Sequence, residues 1–114
     1  MNQETIHVFA KWRTKDGQLQ AVLNLLGEVV KKSVEEQGNL YYKVHQSKAD
    51  QNTLLVYEGY VDEEALTTHR VSAYFQDLVM KKITPLLEDK EVILSKQLVL
   101  GLPGVSPQRC LPIL

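Results

Sequence analysis

A length of 114 residues, 44% of them hydrophobic and 24% charged, predicts one globular domain large enough to enclose a hydrophobic core. The 13 basic and 14 acidic side chains leave a net charge of −1, which predicts neither a nucleic-acid partner nor an anionic membrane surface. The apolar runs are too short for a predicted membrane span, and the polar first residues do not resemble a signal peptide.

The first part of the chain predicts a strand followed by a long helix. Apolar side chains occupy every second position from Ile6 to Trp12, which is typical of a strand with one buried face. A turn follows, in which Asp16 is expected to cap a helix. From residue 18, apolar side chains recur at spacings of three and four, which predicts an amphipathic helix that ends at Gly38.

Two further strands are predicted as a hairpin. Residues 39–47 and 53–60 each alternate between two faces, and a polar loop joins them. On the second of these strands, Glu58 alternates in step with Val56 and Tyr60, so its side chain is expected to face the helices. A carboxylate on that face must be paired, protonated or placed in a cavity.

The remaining elements are two helices and a strand. Asp62 is expected to cap a helix that runs to about residue 70, and Ser72 to begin a longer one. Lys82 is predicted to lie on the same side of this longer helix as Leu78 and Val79, and Pro85 should kink or tighten its last turns. Residues 92–100 alternate again and form the predicted fourth strand.

The element order β-α-β-β-α-β predicts an α+β protein of the ferredoxin-like type, with a four-stranded antiparallel sheet and both helices on one face. The opposite face would expose an apolar patch larger than monomers usually carry. A second copy of the chain would cover this patch, so we expect a homodimer. The side chains expected on the exposed face are Phe9, Tyr41, Tyr57 and Ile93.

Two segments are expected, a folded domain over residues 1–100 and a C-terminal tail over residues 101–114. The tail holds three of the four prolines and therefore cannot continue the sheet. It is either a frayed end or an arm that packs on a partner subunit. Its Cys110 is the only cysteine and cannot form an intramolecular disulfide, which is typical of a cytoplasmic protein.

Proton-transfer chemistry is predicted at Glu58 and His69. A carboxylate on a strand and an imidazole on the next helix can meet in one pocket, and their ordinary pKa values bracket the range useful for proton transfer. Burial would raise the pKa of Glu58 and suit it to act as a base near neutral pH. Structural roles stay open, namely an ion pair for Glu58 and a dipole-complementing position at a helix C-terminus for His69.

Several aromatic side chains are candidates for a small-molecule site beside this pair. Tyrosine hydroxyls can hydrogen-bond the polar groups of a small ligand, and the other rings can form the walls of a pocket. Each ring taken alone is better explained as a core residue, whereas the set beside an embedded carboxylate predicts a ligand site. The candidate binding residues are Trp12, Tyr42, Tyr60, Tyr74 and Phe75.

The sequence predicts no metal and no organic cofactor. His7, His45 and His69 lie on three different elements and lack the spacing of metal ligands. No glycine-rich phosphate-binding loop is present either.

With these elements in place, residues 5–100 resemble the antibiotic biosynthesis monooxygenase domain, a family of small dimeric α+β barrels. The order and spacing of several short motifs carry the resemblance, rather than any single motif. Two positions depart from the family pattern, because Tyr60 stands where Trp is usual and Tyr74 stands where a second His is common. The matching segments are Asp16-Gly17, Gly38-Asn39-Leu40-Tyr41-Tyr42, Asp50-Gln51-Asn52-Thr53 and Tyr57-Glu58-Gly59-Tyr60, followed by Glu64-Ala65-Leu66, His69, Ser72 and Phe75.

The resemblance implies a monooxygenase that uses no metal, haem or flavin. Its substrate would be a small aromatic quinol or phenol, which reduces O2 once Glu58, together with His69, has removed a hydroxyl proton. Two alternatives stay open, an acid/base isomerase of a small hydroxylated or phosphorylated ketone and a non-catalytic small-molecule-binding dimer. A phosphorylated substrate would require a cationic end of the pocket, which the sequence does not place.

Overall fold

The computed structural model of the chain describes residues 4–101. Apart from its first residue, the predicted tail with Cys110 lies outside the described residues. No helix in the described part is long and apolar enough to cross a membrane. The elements are strands β1 (Ile6–Thr14), β2 (Asn39–Gln46), β3 (Thr53–Tyr60) and β4 (Leu87–Ser95), and helices α1 (Leu19–Ser33), α2 (Glu63–Val71) and α3 (Phe75–Ile83).

The four strands form one antiparallel sheet in the order β2-β3-β1-β4. The helices pack on one face of this sheet, where Trp12 of β1, Leu26 of α1 and Val79 of α3 meet in the main hydrophobic core. This arrangement confirms the predicted ferredoxin-like α+β fold. Because β1 and β3 occupy the central positions, the residues on their inner faces are the most deeply buried in the sheet.

Helix α1 packs through the predicted apolar stripe, in which Val22 and Leu26 are fully buried. The predicted cap at Asp16 is wrong, because the N-cap residue is Gln18 and no side chain caps the helix. The Asp16 carboxylate instead accepts a 3.3 Å hydrogen bond from the side-chain amide of Asn52. Asp16 therefore ties the turn before α1 to the hairpin loop between β2 and β3.

Gly38 does not end α1, contrary to the prediction, because the helix already ends at Ser33. Gly38 lies one residue before β2, where its carbonyl oxygen accepts a 2.9 Å hydrogen bond from the backbone N–H of Val61. A Cβ atom at this position would lie 2.5 Å from the Cβ of Ala65 in α2. Glycine is required here because the backbone and α2 approach each other closely.

The connection from α2 to α3 follows the predicted cap residues. The carboxylate of Asp62 accepts a 2.8 Å hydrogen bond from the backbone N–H of Ala65, and so caps α2 as predicted. The hydroxyl of Ser72 accepts a 3.3 Å hydrogen bond from the backbone N–H of Phe75, where α3 begins. Pro85 lies in a single 3₁₀ turn that separates α3 from β4.

Helix α3 is wound as a π-helix, and this winding changes which side chains are buried. Hydrogen bonds between residues i and i+5 bring Val79 and Ile83, four positions apart, to the buried side. The prediction that Lys82 shares the side of Leu78 and Val79 is wrong, because it assumed 3.6 residues per turn, and both of those residues are buried. Lys82 is exposed, and its Nζ lies 3.3 Å from the carboxylate of Asp77.

Strand β4 begins and ends earlier in the sequence than predicted, since it spans Leu87–Ser95. Its first half is polar because β4 is an edge strand with a single sheet neighbour, β1. The register pairs Lys90 with Trp12 and Val92 with Ala10. Directly paired residues project to the same face of a sheet, so Lys90 lies on the side of the helices.

The sheet face opposite the helices carries the apolar side chains that were expected there. Phe9 and Ile93 are directly paired across β1 and β4, and they are 40% and 51% exposed. The ring of Tyr57 packs edge-on against Phe9, with 5.4 Å between the ring centroids. An exposed apolar patch is therefore present, while the homodimer that would cover it stays a prediction.

Candidate functional site

A cavity of about 310 Å³ lies between the inner face of the sheet and helices α2 and α3. Its volume is near the lower end of the range for small-molecule sites and suits a ligand of one or two rings. Aromatic and aliphatic side chains form most of its surface, which disfavours bulk water inside. The main apolar side chains of the wall are Val8, Ala10, Trp12, Phe75, Val79 and Val92.

Glu58 contributes a buried carboxylate to this cavity. It lies on the inner face of β3, next to Tyr42 of β2, and only 7% of its surface is exposed. Desolvation raises the pKa of the Glu58 carboxyl group above its ordinary value. A 2.7 Å hydrogen bond from the Tyr60 hydroxyl and the nearby charge of Arg70 oppose this rise. Glu58 is thus a carboxylate of increased proton affinity on a mostly apolar wall.

His69 lies between two carboxylates and is almost completely buried. Its Nε2 is 3.6 Å from Oε1 of Glu58, and its Nδ1 is 3.1 Å from Oε2 of Glu36. The hydroxyl of Tyr74 also lies 3.1 Å from Nδ1 and donates a short hydrogen bond to the same Glu36 oxygen. The ring is therefore fixed on its Nδ1 side by Glu36 and Tyr74, and it faces Glu58 with its other nitrogen.

The contacts of His69 favour one tautomer. A carboxylate oxygen accepts hydrogen bonds, so the 3.1 Å contact of Nδ1 with Oε2 of Glu36 favours a neutral ring with its hydrogen on Nδ1 and a lone pair on Nε2. Nε2 is buried and has no hydrogen-bond partner among residues 4–101, and the same holds for Nε1 of Trp12. Both residues line the cavity, so an unsatisfied acceptor and an unsatisfied donor belong to side chains of its wall.

Most of the predicted site residues line the cavity, but Tyr60 and Tyr74 do not. They lie behind the acidic and imidazole groups, where Tyr60 donates to Glu58 and Tyr74 donates to Glu36. Burial is the main cause that raises the pKa of both phenols, with the adjacent carboxylates adding to it, so both stay protonated donors. The predicted residues that do form the wall are Glu58, His69, Trp12, Tyr42 and Phe75.

Three charged residues of the site were not predicted from the sequence, namely Glu36, Arg70 and Lys90. Glu36 lies in a polar turn after α1 and reaches His69 only through tertiary packing. Arg70 lies on α2 directly after His69, and α2 offers no periodic signal that separates a cavity residue from a surface one. Lys90 precedes the predicted fourth strand, whereas the observed strand begins at residue 87 and places Lys90 on the same face as Trp12.

The arrangement supports proton transfer and anion binding. Glu58 and His69 are groups that can exchange protons, and Arg70 and Lys90 add two cations to the same cavity. Among residues 4–101, no group of three or more His, Cys, Asp or Glu side chains is placed to hold a metal ion.

Comparisons with known proteins agree with this fold. The sequence profile of the family described as antibiotic biosynthesis monooxygenase matches residues 5–81. No curated protein sequence matches the chain. Solved structures of a Pseudomonas aeruginosa protein (TM-score 0.80, 22% identity, 87% of this chain and 99% of that one) and of a Shewanella oneidensis protein (0.79, 23%, 84% and 93%) share the fold. A structure described as an antibiotic biosynthesis monooxygenase is 26% identical, with a TM-score of 0.78 over 82% of this chain and 99% of its own.

Proposed function

Because the chain belongs to the antibiotic biosynthesis monooxygenase family, we propose that it oxidises a small aromatic quinol or phenol with O2, without a metal or an organic cofactor. The observation that carries the proposal is the Glu58–His69 pair in a mostly apolar cavity, where Nε2 of the imidazole lacks a hydrogen-bond partner among the described residues. A deprotonated quinol reduces O2 directly, so a base in a water-poor cavity is the main requirement of the reaction.

The first step is the removal of a hydroxyl proton from the substrate. Nε2 of His69 and Oε1 of Glu58 are 3.6 Å apart, so one substrate hydroxyl can contact both atoms. The proton passes to this pair, and the Glu36 carboxylate at Nδ1 stabilises the imidazolium form of His69. The raised pKa of Glu58 makes its carboxylate a stronger base than an exposed one.

The second stage is the transfer of electrons to O2. The substrate anion gives one electron to O2, and the resulting organic radical and superoxide combine at a ring carbon. The proton held by the Glu58–His69 pair then completes a hydroperoxide, whose O–O bond breaks as water leaves and a carbonyl group forms. The substrate loses four electrons in total, one oxygen atom enters the product and the other leaves as water, so no further reductant is needed.

The cavity walls orient the substrate for these steps. Trp12 and Phe75 provide flat apolar surfaces for an aromatic ring. Because the ring is held beside O2, the two reactants no longer have to meet by diffusion, and the reaction between them becomes faster. Nε1 of Trp12, which lacks a partner among residues 4–101, would donate to an oxygen atom of the substrate. In this account Tyr60 and Tyr74 are positioning residues that hold Glu58 and His69 in place.

We also propose that the protein is a homodimer in the cytoplasm. The exposed Phe9–Ile93 pair and the Tyr57 ring beside it support an interface on the sheet face opposite the helices. The presence of a single cysteine in the sequence supports a reducing compartment.

A second candidate function is an acid/base isomerase of a small phosphorylated ketone. Arg70 and Lys90 favour it, because they supply a cationic end of the cavity, which such a substrate requires. The same Glu58–His69 pair would move a proton between two carbon or oxygen atoms of the substrate. This reaction consumes no O2.

Oxygen consumption separates the two functions. The experiment follows dissolved O2 with an electrode while a panel of reduced quinols and phenols is added to the purified protein in the presence of a chelator. We expect uptake above the autoxidation rate in the wild type and its loss in Glu58→Gln. The matched control is Glu63→Gln, which neutralises an exposed glutamate of α2 and should leave uptake unchanged.

The opposite results have direct meanings. If no substrate of the panel causes uptake, the oxygenase proposal fails, and phosphorylated hydroxyketones become the next substrates to test. If uptake persists in Glu58→Gln, Glu58 is not the base.

A further inference from the structure

Two cations share the cavity with the proton-transfer pair. Arg70 on α2 and Lys90 on β4 both line it, and both side chains are half-buried. The ion pairs found among residues 4–101 involve neither of them. By contrast, Lys82 and Lys96, which lie outside this cavity, each have a carboxylate within 4 Å.

The two cations also repel each other. Desolvation lowers the pKa of Lys90, and the charge of Arg70 lowers it further. The hydrogen bond of the Lys90 ammonium to the Thr84 hydroxyl is long, at 3.4 Å, and compensates little for the lost water. Two partly desolvated like charges with no carboxylate of the described residues within 4 Å are unfavourable, and a bound anion would relieve both the desolvation and the repulsion.

We propose that Arg70 and Lys90 bind an anionic oxygen group of the substrate, either a carboxylate or a phosphate. The planar guanidinium of Arg70 suits two oxygen atoms of such a group, and the Lys90 ammonium adds a point charge. The aromatic part of the substrate in this inference rests on the proposed function, whereas the anion site does not depend on any reaction with O2.

The position of the cations fits a substrate with charge at one end and a hydroxyl group at the other. Lys90 is paired with Trp12 across β4 and β1, so an anion at Lys90 would place an attached ring against the indole. Glu58 lies on β3, which is the neighbour of β1 on the opposite side from β4. Glu58 is paired with Val8, four residues along β1 from Trp12, so a substrate that reaches both Lys90 and Glu58 would lie diagonally across β1 within a cavity of about 310 Å³.

Binding of matched small ligands tests this inference without any turnover. Phenol, benzoate and phenyl phosphate share one ring and differ in charge, and Trp12 is the only tryptophan, so its fluorescence reports occupancy of the cavity. Titrations in the absence of O2 would compare the wild type with Lys90→Met, Arg70→Gln and the double variant. Lys82→Met, which removes an exposed lysine outside the cavity, is the matched control, and Lys90→Arg keeps the charge.

We expect at least one of the two anions to bind the wild type about tenfold or more tightly than phenol, which is the usual strength of a charge-assisted contact. This preference should weaken in each single variant, disappear in the double variant and persist in Lys82→Met and Lys90→Arg. Stronger binding of phenyl phosphate than of benzoate would assign a phosphate, and the reverse would assign a carboxylate. Equal affinity for phenol and both anions, or a preference that survives in the folded double variant, would overturn the inference.

The outcome is separable from that of the oxygen experiment. Anion preference without O2 uptake would support the anion site and reject the oxygenase. O2 uptake with neutral quinols and no anion preference would reject the anion site and leave the oxygenase intact.

Discussion

The close approach of Gly38 to α2 predicts that Gly38→Ala displaces the histidine of the site. The added Cβ would lie 2.5 Å from the Cβ of Ala65, whereas carbon atoms in contact are about 3.5–4.0 Å apart, so α2 must retreat by about 1 Å. Ala65 lies one helical turn before His69, so this movement carries the imidazole away from Glu58. We expect a loss of about 1–3 kcal/mol in the free energy of unfolding, as for other overpacked sites. A displacement of about 1 Å can lower catalysis by as much as about 100-fold.

Chemical denaturation and O2 uptake measure the two effects, and Gly27→Ala is the matched control. A Cβ at Gly27 meets nothing within 4 Å, and in the interior of α1 alanine should stabilise the protein by about 0.5–1 kcal/mol without changing activity. Gly38 has no positive φ, so the expected loss comes from the contact and not from backbone strain. A Gly38→Ala protein with wild-type stability and activity would refute the reasoning.

Three further changes test the surroundings of the site. Tyr60→Phe removes the hydrogen bond that lowers the pKa of Glu58, so the acid limb of kcat/KM should move to higher pH. The free energy of unfolding should also fall by about 1–3 kcal/mol. An unchanged pH profile would contradict the role of Tyr60. Glu36→Gln removes the charge that favours the Nδ1–H tautomer of His69. We expect about tenfold lower kcat together with altered ¹⁵N NMR chemical shifts of the imidazole ring. Unaltered chemical shifts would show that Glu36 does not set the tautomer. Phe9→Lys places a charge in the proposed interface and should convert the dimer to a folded monomer in light scattering, whereas a persistent dimer would place the interface elsewhere.

Folding should also depend on pH through Glu58. Because its pKa is higher in the folded than in the unfolded chain, the stability that protonated Glu58 contributes is present at low pH and lost as the pH rises through the folded value. Glu58→Gln should therefore flatten the decline of the unfolding free energy over that acidic range. If the free energy of unfolding declined with pH at the same slope in the wild type and in Glu58→Gln, burial would not raise the pKa of Glu58.

The sequence predicts the central strands and the proximity of Glu58 and His69 because both depend on simple local patterns. Alternation along β3 places Glu58 on the same side as Val56 and Tyr60, and all three are buried. Asp62 predicts the start of α2 as its N-cap residue, and the short length of that helix limits where His69 can lie. These local rules hold because a buried sheet face tolerates few polar side chains.

The features that the sequence does not predict depend on tertiary context. Strand β4 is charged along its first half because an edge strand needs little burial. The apolar alternation that predicts a strand therefore begins only at residue 92, and Lys90 falls outside the predicted strand. The π-helical winding of α3 replaces the period on which the assignment of Lys82 depended. Glu36 reaches His69 across 33 positions of the chain, and no spacing rule connects a turn with a helix that far away.

Labelled oxygen tests the central claim most directly. The protein would be supplied with ¹⁸O2 and a quinol that it consumes, and the product would be analysed by mass spectrometry alongside Glu58→Gln. The account predicts one ¹⁸O atom per product molecule in the wild type, with the second atom recovered as water and product formation lost in Glu58→Gln. An unlabelled quinone formed together with hydrogen peroxide would contradict it, because the substrate would then be oxidised without entry of oxygen.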